Sequence, residues 1–202
     1  MVLSLQSGLT LFFARHGETQ ANVQGRFQGH SVDTPLTQKG VDQAHTIASI
    51  MQGESDPASL ARESSPLKRA CTTMEIVLGD CGLASNAYTT EARIIEIDLG
   101  AWDGLTHAQA RALDPAAYEL REHNKWEVPV PGGGENYADV AARAESWVND
   151  LREDTFAISH GAFTRILRGL FLGLTWKQMS DLDEPQGCVF RVRGNSVRRL
   201  DL

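Results

Sequence analysis

Leu9-Thr10-Leu11-Phe12-Phe13-Ala14-Arg15-His16-Gly17-Glu18-Thr19 is the stretch on which the expected fold rests. Its apolar, strand-forming run ends abruptly at Arg15, His16 and Gly17. Such a run is typical of a strand buried on both faces of a parallel sheet, and open α/β sheets bind ligands at the carboxyl ends of their strands. Arg15 supplies a fixed positive fork, His16 a nucleophile or base, and Gly17 lets the backbone approach a ligand closely. The stretch therefore predicts either a site for an oxyanion such as phosphate or a strand that simply ends in a polar turn.

The composition is that of an ordinary globular chain, with 202 residues and a formal net charge of −7. This length suits a single domain over residues 1–202. The negative balance argues against binding to nucleic acid or to an anionic membrane, but it allows a local positive pocket for a small anion. The three cysteines are too few and too scattered for a disulfide framework or a CxxC metal site. We see no signal peptide and no apolar run of membrane-spanning length, so we expect a cytoplasmic protein.

Two further junctions follow the same logic of a strand that leads into a helix. A weak strand candidate at 59–64 precedes Ser65-Pro66, which can start a helix with Ser65 as N-cap and Pro66 in its first position. Arg69 then lies in the first turn of that helix, as a surface residue or as a second clamp on the anion. The apolar run Thr155–Ser159 leads into His160-Gly161 and another helical pattern. Two His-Gly strand ends in one domain favour a shared site over two unrelated turns.

An acidic pair, Glu96 and Asp98, lies among isoleucines in the segment 91–103. We expect a short strand here, with both carboxylates on one face. Either of them can serve as a general acid near neutrality, or both can simply form the wet face of an edge strand. Their spacing does not choose between them.

The remaining segments complete the expected α/β order. A long polar loop at 20–34 is expected to be functional, because long loops without structure of their own are uncommon in compact domains. Helices are predicted after Thr37 and after Asn136, each of which is a good N-cap residue. Residues 105–135 form a lid-like insertion that is helical in patches and ends in a flexible glycine connector at 132–134. The chain ends in a predicted β-hairpin over 189–200.

One set of motifs occurs together and in order between Thr10 and Leu172. It consists of Arg15-His16-Gly17-Glu18-Thr19, Asn22, Pro35-Leu36-Thr37, Ser65-Pro66-Leu67-x-Arg69-Ala70, Glu96 and His160-Gly161. This set resembles the histidine phosphatase superfamily, also called the phosphoglycerate mutase-like family. The resemblance implies a three-layer α/β/α sandwich whose central sheet is mostly parallel, with an antiparallel edge.

The resemblance also implies roles for individual residues. His16 resembles the nucleophile that becomes phosphohistidine, and Glu96, rather than Asp98, matches the proton donor. Arg15, Arg69 and a protonated His160 resemble the rest of the phosphate pocket, while Asn22, Gln28, Gly29 and Gly161 match substrate-contact positions. No metal ion and no cofactor are implied, and the other histidines form no HxH or HExxH pattern.

The family contains both phosphatases and mutases, so residues at the rim of the pocket are needed to distinguish between these two activities. His107 stands where a mutase-like lysine is expected, and Leu120-Arg121-Glu122-His123 lacks the paired arginines of mutases. These departures favour a metal-independent phosphatase that acts on a small phosphorylated metabolite. A cofactor-dependent phosphoglycerate mutase and a non-catalytic phosphate-binding module are the alternatives. The sequence does not identify the substrate. It also does not decide between a small-molecule and a phosphoprotein substrate, or whether the protein forms a homodimer.

Overall fold

A single six-stranded sheet forms the centre of the computed structural model, which describes residues 2–202. The strands are β1 (Thr10–Arg15), β2 (Ala61–Ser64), β3 (Thr89–Thr90), β4 (Thr155–Ser159), β5 (Val189–Arg193) and β6 (Ser196–Leu200). Their order across the sheet is β3-β2-β4-β1-β5-β6. The first four in this order are parallel to one another, whereas β5 and β6 add an antiparallel edge. The expected mostly parallel sheet with its antiparallel edge is confirmed.

Helices cover both faces of this sheet. They are α1 (Gln20–Val23), α2 (Gln38–Glu54), α3 (Lys68–Asp80), α4 (His107–Leu113), α5 (Pro115–His123), α6 (Tyr137–Asp150), α7 (Gly161–Leu172) and α8 (Trp176–Ser180). The side chains of Thr37 and Asn136 accept hydrogen bonds from backbone N–H groups in the first turns of α2 and α6, as predicted. Among residues 2–202, no helix combines the length and the apolar character needed to cross a membrane.

The opening stretch is buried on both sides, as its apolar run predicts. Leu11 and Phe13 of β1 pack in the same cluster as α6 and α7, whereas Phe12 and Ala14 pack with α2 and α3 on the opposite face. Successive side chains of a strand point to opposite faces, so a strand covered on both sides needs apolar residues at every position. The result is the expected three-layer α/β/α arrangement.

Helix α3 starts later than the sequence predicts, and Ser65 is not its N-cap. The helix begins at Lys68, and the carboxylate of Asp33 accepts hydrogen bonds from the backbone N–H groups of Lys68 (2.6 Å) and Arg69 (3.3 Å). A residue about 35 positions earlier in the chain therefore supplies the capping acceptor that Ser65 was expected to provide. Ser65 is freed for a different partner.

The strand expected within 91–103 is absent from the described chain. Two short 3-10 turns, Ala92–Ile94 and Gly100–Trp102, flank an extended segment there. Backbone groups of that segment and of the second turn bond to the residues on either side of the glycine connector instead of to a strand: Ala101 N–H donates to Pro131 O (2.7 Å) and Glu135 N–H donates to Asp98 O (2.9 Å). The connector is consequently packed in place, because a Cβ on Gly134 would lie 2.7 Å from Asp98 O. The loop at 20–34, expected to lack structure, contains α1.

Candidate functional site

The two His-Gly junctions meet at one edge of the sheet. Strands β1 and β4 are parallel neighbours in which Arg15 pairs with Ser159, so His16 and His160 follow at the same level. The N–H of His16 extends the ladder by donating to Ser159 O (2.9 Å). The ring centroids of His16 and His160 lie 5.2 Å apart. The sheet thus places both imidazoles side by side at the carboxyl ends of its central strands.

The imidazole of His16 is held as a neutral ring with one free nitrogen. Its Nδ1 lies 2.8 Å from Gly17 O, and because a carbonyl only accepts, Nδ1 carries the proton and Nε2 keeps its lone pair. Burial, followed by the nearby charges of Arg15 and Arg69, holds the pKa of His16 well below its usual value. A neutral imidazole with an unprotonated Nε2 is the form that can act as a nucleophile.

Gly17 has a different purpose from the one that the sequence suggested. A Cβ at this position would clash with the backbone of Gly40, in the first turn of α2. The close approach that requires glycine is therefore to a helix, and not to a ligand.

His160 is fully buried and is paired with Ser65. Its Nε2 lies 2.6 Å from Ser65 Oγ, and that oxygen also accepts the Leu67 N–H at 3.4 Å. The hydroxyl hydrogen is therefore available to His160 Nε2, and we assign the ring proton to Nδ1, a buried atom without a partner in the described chain. Burial and the charge of Arg69 lower the pKa of His160 well below its usual value. In the ligand-free protein, burial therefore favours a neutral His160 that offers Nδ1–H as a donor, whereas the resemblance implies a protonated ring when phosphate is bound.

The two arginines differ in what they hold. The Arg69 guanidinium is buried, and its Nη2 donates to Gln28 O (3.1 Å) and Gly29 O (3.0 Å) while its Nη1 donates to Asp33 (3.1 Å). Arg69 therefore fixes the loop at 28–33, and it does not line the cavity. Arg15 is more exposed, and its Nη1 donates to the backbone oxygen of Glu184 (2.7 Å).

Glu96, and not Asp98, faces the cavity beside the histidines. Its carboxylate accepts hydrogen bonds from the backbone N–H groups of Ile97 (2.9 Å), Phe163 (3.1 Å) and Ala162 (3.2 Å). Two of these donors belong to the first turn of α7, where unpaired N–H groups favour an anion. Asp98 instead accepts the N–H of Gly100 (2.8 Å). Of the two carboxylates that spacing left open, only Glu96 lines the cavity.

The four predicted substrate-contact residues are not equally placed. Asn22 and Gln28 line the cavity. The amide of Gln28 is already engaged, because its oxygen accepts the Thr19 hydroxyl (2.7 Å) and its nitrogen donates to Thr34 (3.2 Å). Gly29 and Gly161 do not line the cavity. Arg69 and His160, predicted as parts of the phosphate pocket, do not line it either.

The cavity itself has a volume of about 300 Å³ and a positive lining. Five of its side chains are cationic: Arg15, Arg26, Arg121, Lys125 and Arg165. Three are carboxylates: Glu96, Glu122 and Glu184. Phe27, Trp102 and His107 form an aromatic wall, with the Phe27 and His107 ring centroids 4.3 Å apart. An acidic chain therefore contains the local positive pocket that the sequence allowed.

Sequence reasoning missed several members of this lining. Arg165 could have been found, because it lies four residues after Gly161 on α7 and shares its helix face. Arg121 is buried on α5 and lies over the ring of Tyr137, 5.6 Å from its centroid, but only the tertiary fold shows that it reaches the cavity. Glu184 lies in an irregular segment before β5, where no pattern marks it.

Comparisons with known proteins agree with this geometry. The family model described as histidine phosphatase superfamily (branch 1) matches residues 11–199. The chain is 29% identical over 185 residues to the adenosylcobalamin/alpha-ribazole phosphatase of Escherichia coli, an alignment that covers 89% of this chain and 87% of that protein. It is 41% identical over 143 residues to the glucosyl-3-phosphoglycerate phosphatase of Mycobacterium tuberculosis, which covers 70% of this chain but only 59% of that relative.

A solved structure extends the likeness to the whole fold. The alpha-ribazole phosphatase of Shigella flexneri superposes with a TM-score of 0.81 at 26% identity, covering 96% of each chain. Both the family match and the fold therefore span nearly all of the sequence. This chain belongs to the histidine phosphatase superfamily, branch 1.

Proposed function

We propose that this protein is a metal-independent phosphatase that hydrolyses a small phosphomonoester through a phosphohistidine at His16. The observation that carries the proposal is the state of His16: its Nδ1 is bonded to Gly17 O, and burial holds its pKa low. Nε2 is therefore an unprotonated nucleophile at the end of a central strand, beside the Arg15 guanidinium. The curated relatives reported above are phosphatases, in agreement with this chemistry.

In the first step, His16 Nε2 attacks phosphorus while the ester oxygen leaves. The P–N bond forms as the P–O bond breaks, and Glu96 delivers a proton to the leaving alkoxide. Negative charge on the transferring phosphoryl oxygens is offset by Arg15, which lines the cavity with His16. Arg69 and the Nδ1–H of His160 add positive charge from residues that lie outside the cavity lining. His16 already offers an unprotonated Nε2, and burial keeps the pKa of both histidines low, so neither ring has to gain or lose a proton before the substrate binds.

In the second step, water hydrolyses the phosphohistidine. Glu96, now a carboxylate, accepts a proton from the attacking water, and the P–N bond breaks to return His16 with its lone pair. One ester and one water are consumed, and one alcohol and one phosphate are released. The backbone donors that fix the Glu96 carboxylate keep it in place for both proton transfers.

The lining of the cavity supports a small anionic substrate. A volume of about 300 Å³ suits a metabolite. Arg121 and Lys125 on or beside α5 add positive charge at a distance from the histidines, and the aromatic wall offers an apolar surface. The residues 105–135 that carry much of this lining are the proposed lid and the proposed source of specificity. The two curated relatives are named for different phosphorylated compounds, so the substrate itself has to be found by assay.

The test is hydrolysis of p-nitrophenyl phosphate and of a panel of phosphorylated metabolites, with EDTA present. We expect His16→Ala to lower kcat by about 10³-fold or more. The control is His45→Ala, because His45 is exposed and paired with Asp80 on the far side of α2. Unchanged turnover in His16→Ala would remove His16 from the mechanism.

A second measurement identifies the intermediate and the alternatives. Quenching the working enzyme in alkali should trap a phosphoprotein that is lost on acid treatment, as expected for phosphohistidine. Transfer of phosphate to 3-phosphoglycerate in preference to water would instead indicate a mutase. Phosphate binding without turnover of any ester would indicate a binding module.

A further inference from the structure

Glu184 places a carboxylate of the protein itself at the phosphate-binding end of the cavity. Its Oε1 lies 3.1 Å from Arg165 Nη1, and its Oε2 lies 3.6 Å from Arg15 Nη1. The same carboxylate lies so close to Gly161 that a Cβ there would clash with it. Glu184 thus lies among the ends of β1 and β4 and the start of α7, where the proposed mechanism puts the phosphoryl oxygens.

The segment that carries Glu184 is fastened on both sides. Before it, Asp183 Oδ1 accepts a hydrogen bond from Arg168 at 2.8 Å. After it, Gln186 Nε2 donates to His16 O (3.1 Å) and to Asn22 Oδ1 (3.2 Å). The backbone is held as well, because Glu184 O accepts a hydrogen bond from Arg15 (2.7 Å). Rotation of the Glu184 side chain, which is 28% exposed, is then the movement that takes the carboxylate away.

This arrangement sets two anions in competition for the same cations. A phosphate bound to Arg15 would lie beside the Glu184 carboxylate, and like charges at such short range repel strongly where water is partly excluded. Arg15 and Arg165 are already paired with an internal anion before any ligand enters. Part of the binding energy of a phosphate group must then be used to displace or tolerate Glu184.

We propose that Glu184 is a specificity-determining residue that competes with the phosphate group for Arg15 and Arg165. It keeps the affinity of the site for free phosphate low, so that tight binding depends on contacts between the rest of the substrate and the remainder of the cavity. When hydrolysis has released phosphate and the phosphate leaves, the Glu184 carboxylate pairs again with Arg15 and Arg165. This inference rests on the proposed function in assigning Arg15 to the phosphate.

The experiment is calorimetric titration of inorganic phosphate into the wild-type protein and the variant Glu184→Gln. We expect Glu184→Gln to bind phosphate with a Kd about tenfold lower, since a unit charge close to the bound anion is removed from a partly exposed site. The matched control is Asp181→Asn, which removes the same charge three residues earlier from an exposed position whose side chain has no hydrogen bond within residues 2–202. Its Kd should stay within about twofold of the wild-type value, the scatter expected for an exposed and screened charge.

Misfolding would weaken phosphate binding, so a gain in affinity cannot be explained by loss of the fold. Glu184→Ala, titrated beside it, should also bind phosphate more tightly than the wild type. Equal or weaker binding in both variants would overturn the inference and would make Glu184 a residue that orients Arg15. Tighter binding in a protein that hydrolyses no ester would refute the proposed function alone, whereas His16-dependent hydrolysis with unchanged phosphate affinity would refute this inference alone.

Discussion

Ser65→Ala tests the assignment of the His160 tautomer most directly. Ser65 and His160 are both buried, and the 2.6 Å contact between Oγ and Nε2 is the only hydrogen bond of that ring within residues 2–202. The substitution leaves Nε2 as a buried acceptor without a partner, which costs about 2 kcal/mol of unfolding free energy. For a chain of this length, that corresponds to a Tm lower by roughly 4–8 °C.

The effect on turnover is separate from the effect on stability. Without Ser65, nothing fixes the ring proton on Nδ1, so His160 is no longer held as a donor toward the phosphoryl oxygens. We expect kcat for p-nitrophenyl phosphate to fall about tenfold, less than the roughly 10²- to 10³-fold loss on removal of an oxyanion donor, because the His160 ring is kept. Calorimetric melting and steady-state kinetics on the same preparation measure both effects.

The neighbouring serine provides a matched control. Ser64 is equally buried, but its hydroxyl donates to Ser65 O (3.0 Å), and this oxygen also accepts from Cys71 Sγ (3.3 Å). Ser64→Ala therefore removes the same atom without touching His160, and kcat should stay within about twofold, since the transition-state donors are kept. A kcat for Ser65→Ala equal to that of Ser64→Ala would refute the tautomer assignment.

Two glycine substitutions and a pH series test the packing and the buried histidines. Gly17→Ala should lower the unfolding free energy by about 3 kcal/mol, because its Cβ meets the Gly40 backbone, whereas Gly53→Ala, open to solvent near the end of α2, should raise it by about 0.5 kcal/mol. Urea denaturation measures both free energies of unfolding, and equal changes in the two variants would contradict the close approach of Gly17 to α2. The unfolding free energy should also fall by about 2 kcal/mol between pH 6.5 and 5.5, about 1 kcal/mol for each of His16 and His160. Unfolded histidines take up protons at their usual pKa of 6.5 while these buried rings, with lowered pKa values, do not. His16→Asn should halve the decrease, and an unchanged slope would argue against a neutral buried His16.

The parts of the fold that the sequence predicts are those whose causes are local. The burial of β1 on both faces follows from its unbroken apolar run, and the starts of α2 and α6 follow from the capping side chains of Thr37 and Asn136. The strand ends at His16 and His160 are likewise visible as apolar runs that stop at a polar residue. Each of these features is decided by neighbours within a few positions along the chain.

The errors have causes that lie far away in the sequence. Helix α3 starts at Lys68 because its capping carboxylate is Asp33, and no local pattern reveals an acceptor that distant. The segment around Asp98 forms no strand because Glu135 and Pro131, on either side of the glycine connector, satisfy its backbone groups. Local propensity competes with these tertiary partners, and here the partners prevail.

The candidate site divides in the same way. The sequence predicts Arg15, His16 and His160 as site residues, because polar side chains at the ends of neighbouring parallel strands meet at one edge of the sheet. The sequence pattern alone could not distinguish Glu96 from Asp98. The difference depends on the first turn of α7, whose N–H groups donate to the Glu96 carboxylate. Glu184 reaches the cavity through an irregular segment, so only the tertiary structure reveals it.

The pairing of β1 with β4 has a consequence for how such a protein can diversify. The distance between the His16 and His160 rings, 5.2 Å between centroids, is close to the spacing of neighbouring strands, about 4.8 Å, so strand pairing sets the separation of the two imidazoles. Loops tolerate insertion, deletion and exchange far better than paired strands do. The segment 105–135 can therefore be lengthened, shortened or rewritten for a new metabolite while the separation of the two imidazoles stays constant. Under the proposed function, the paired strands therefore hold the reacting groups, whereas most of the residues that face the rest of the substrate lie on a separate segment of the chain.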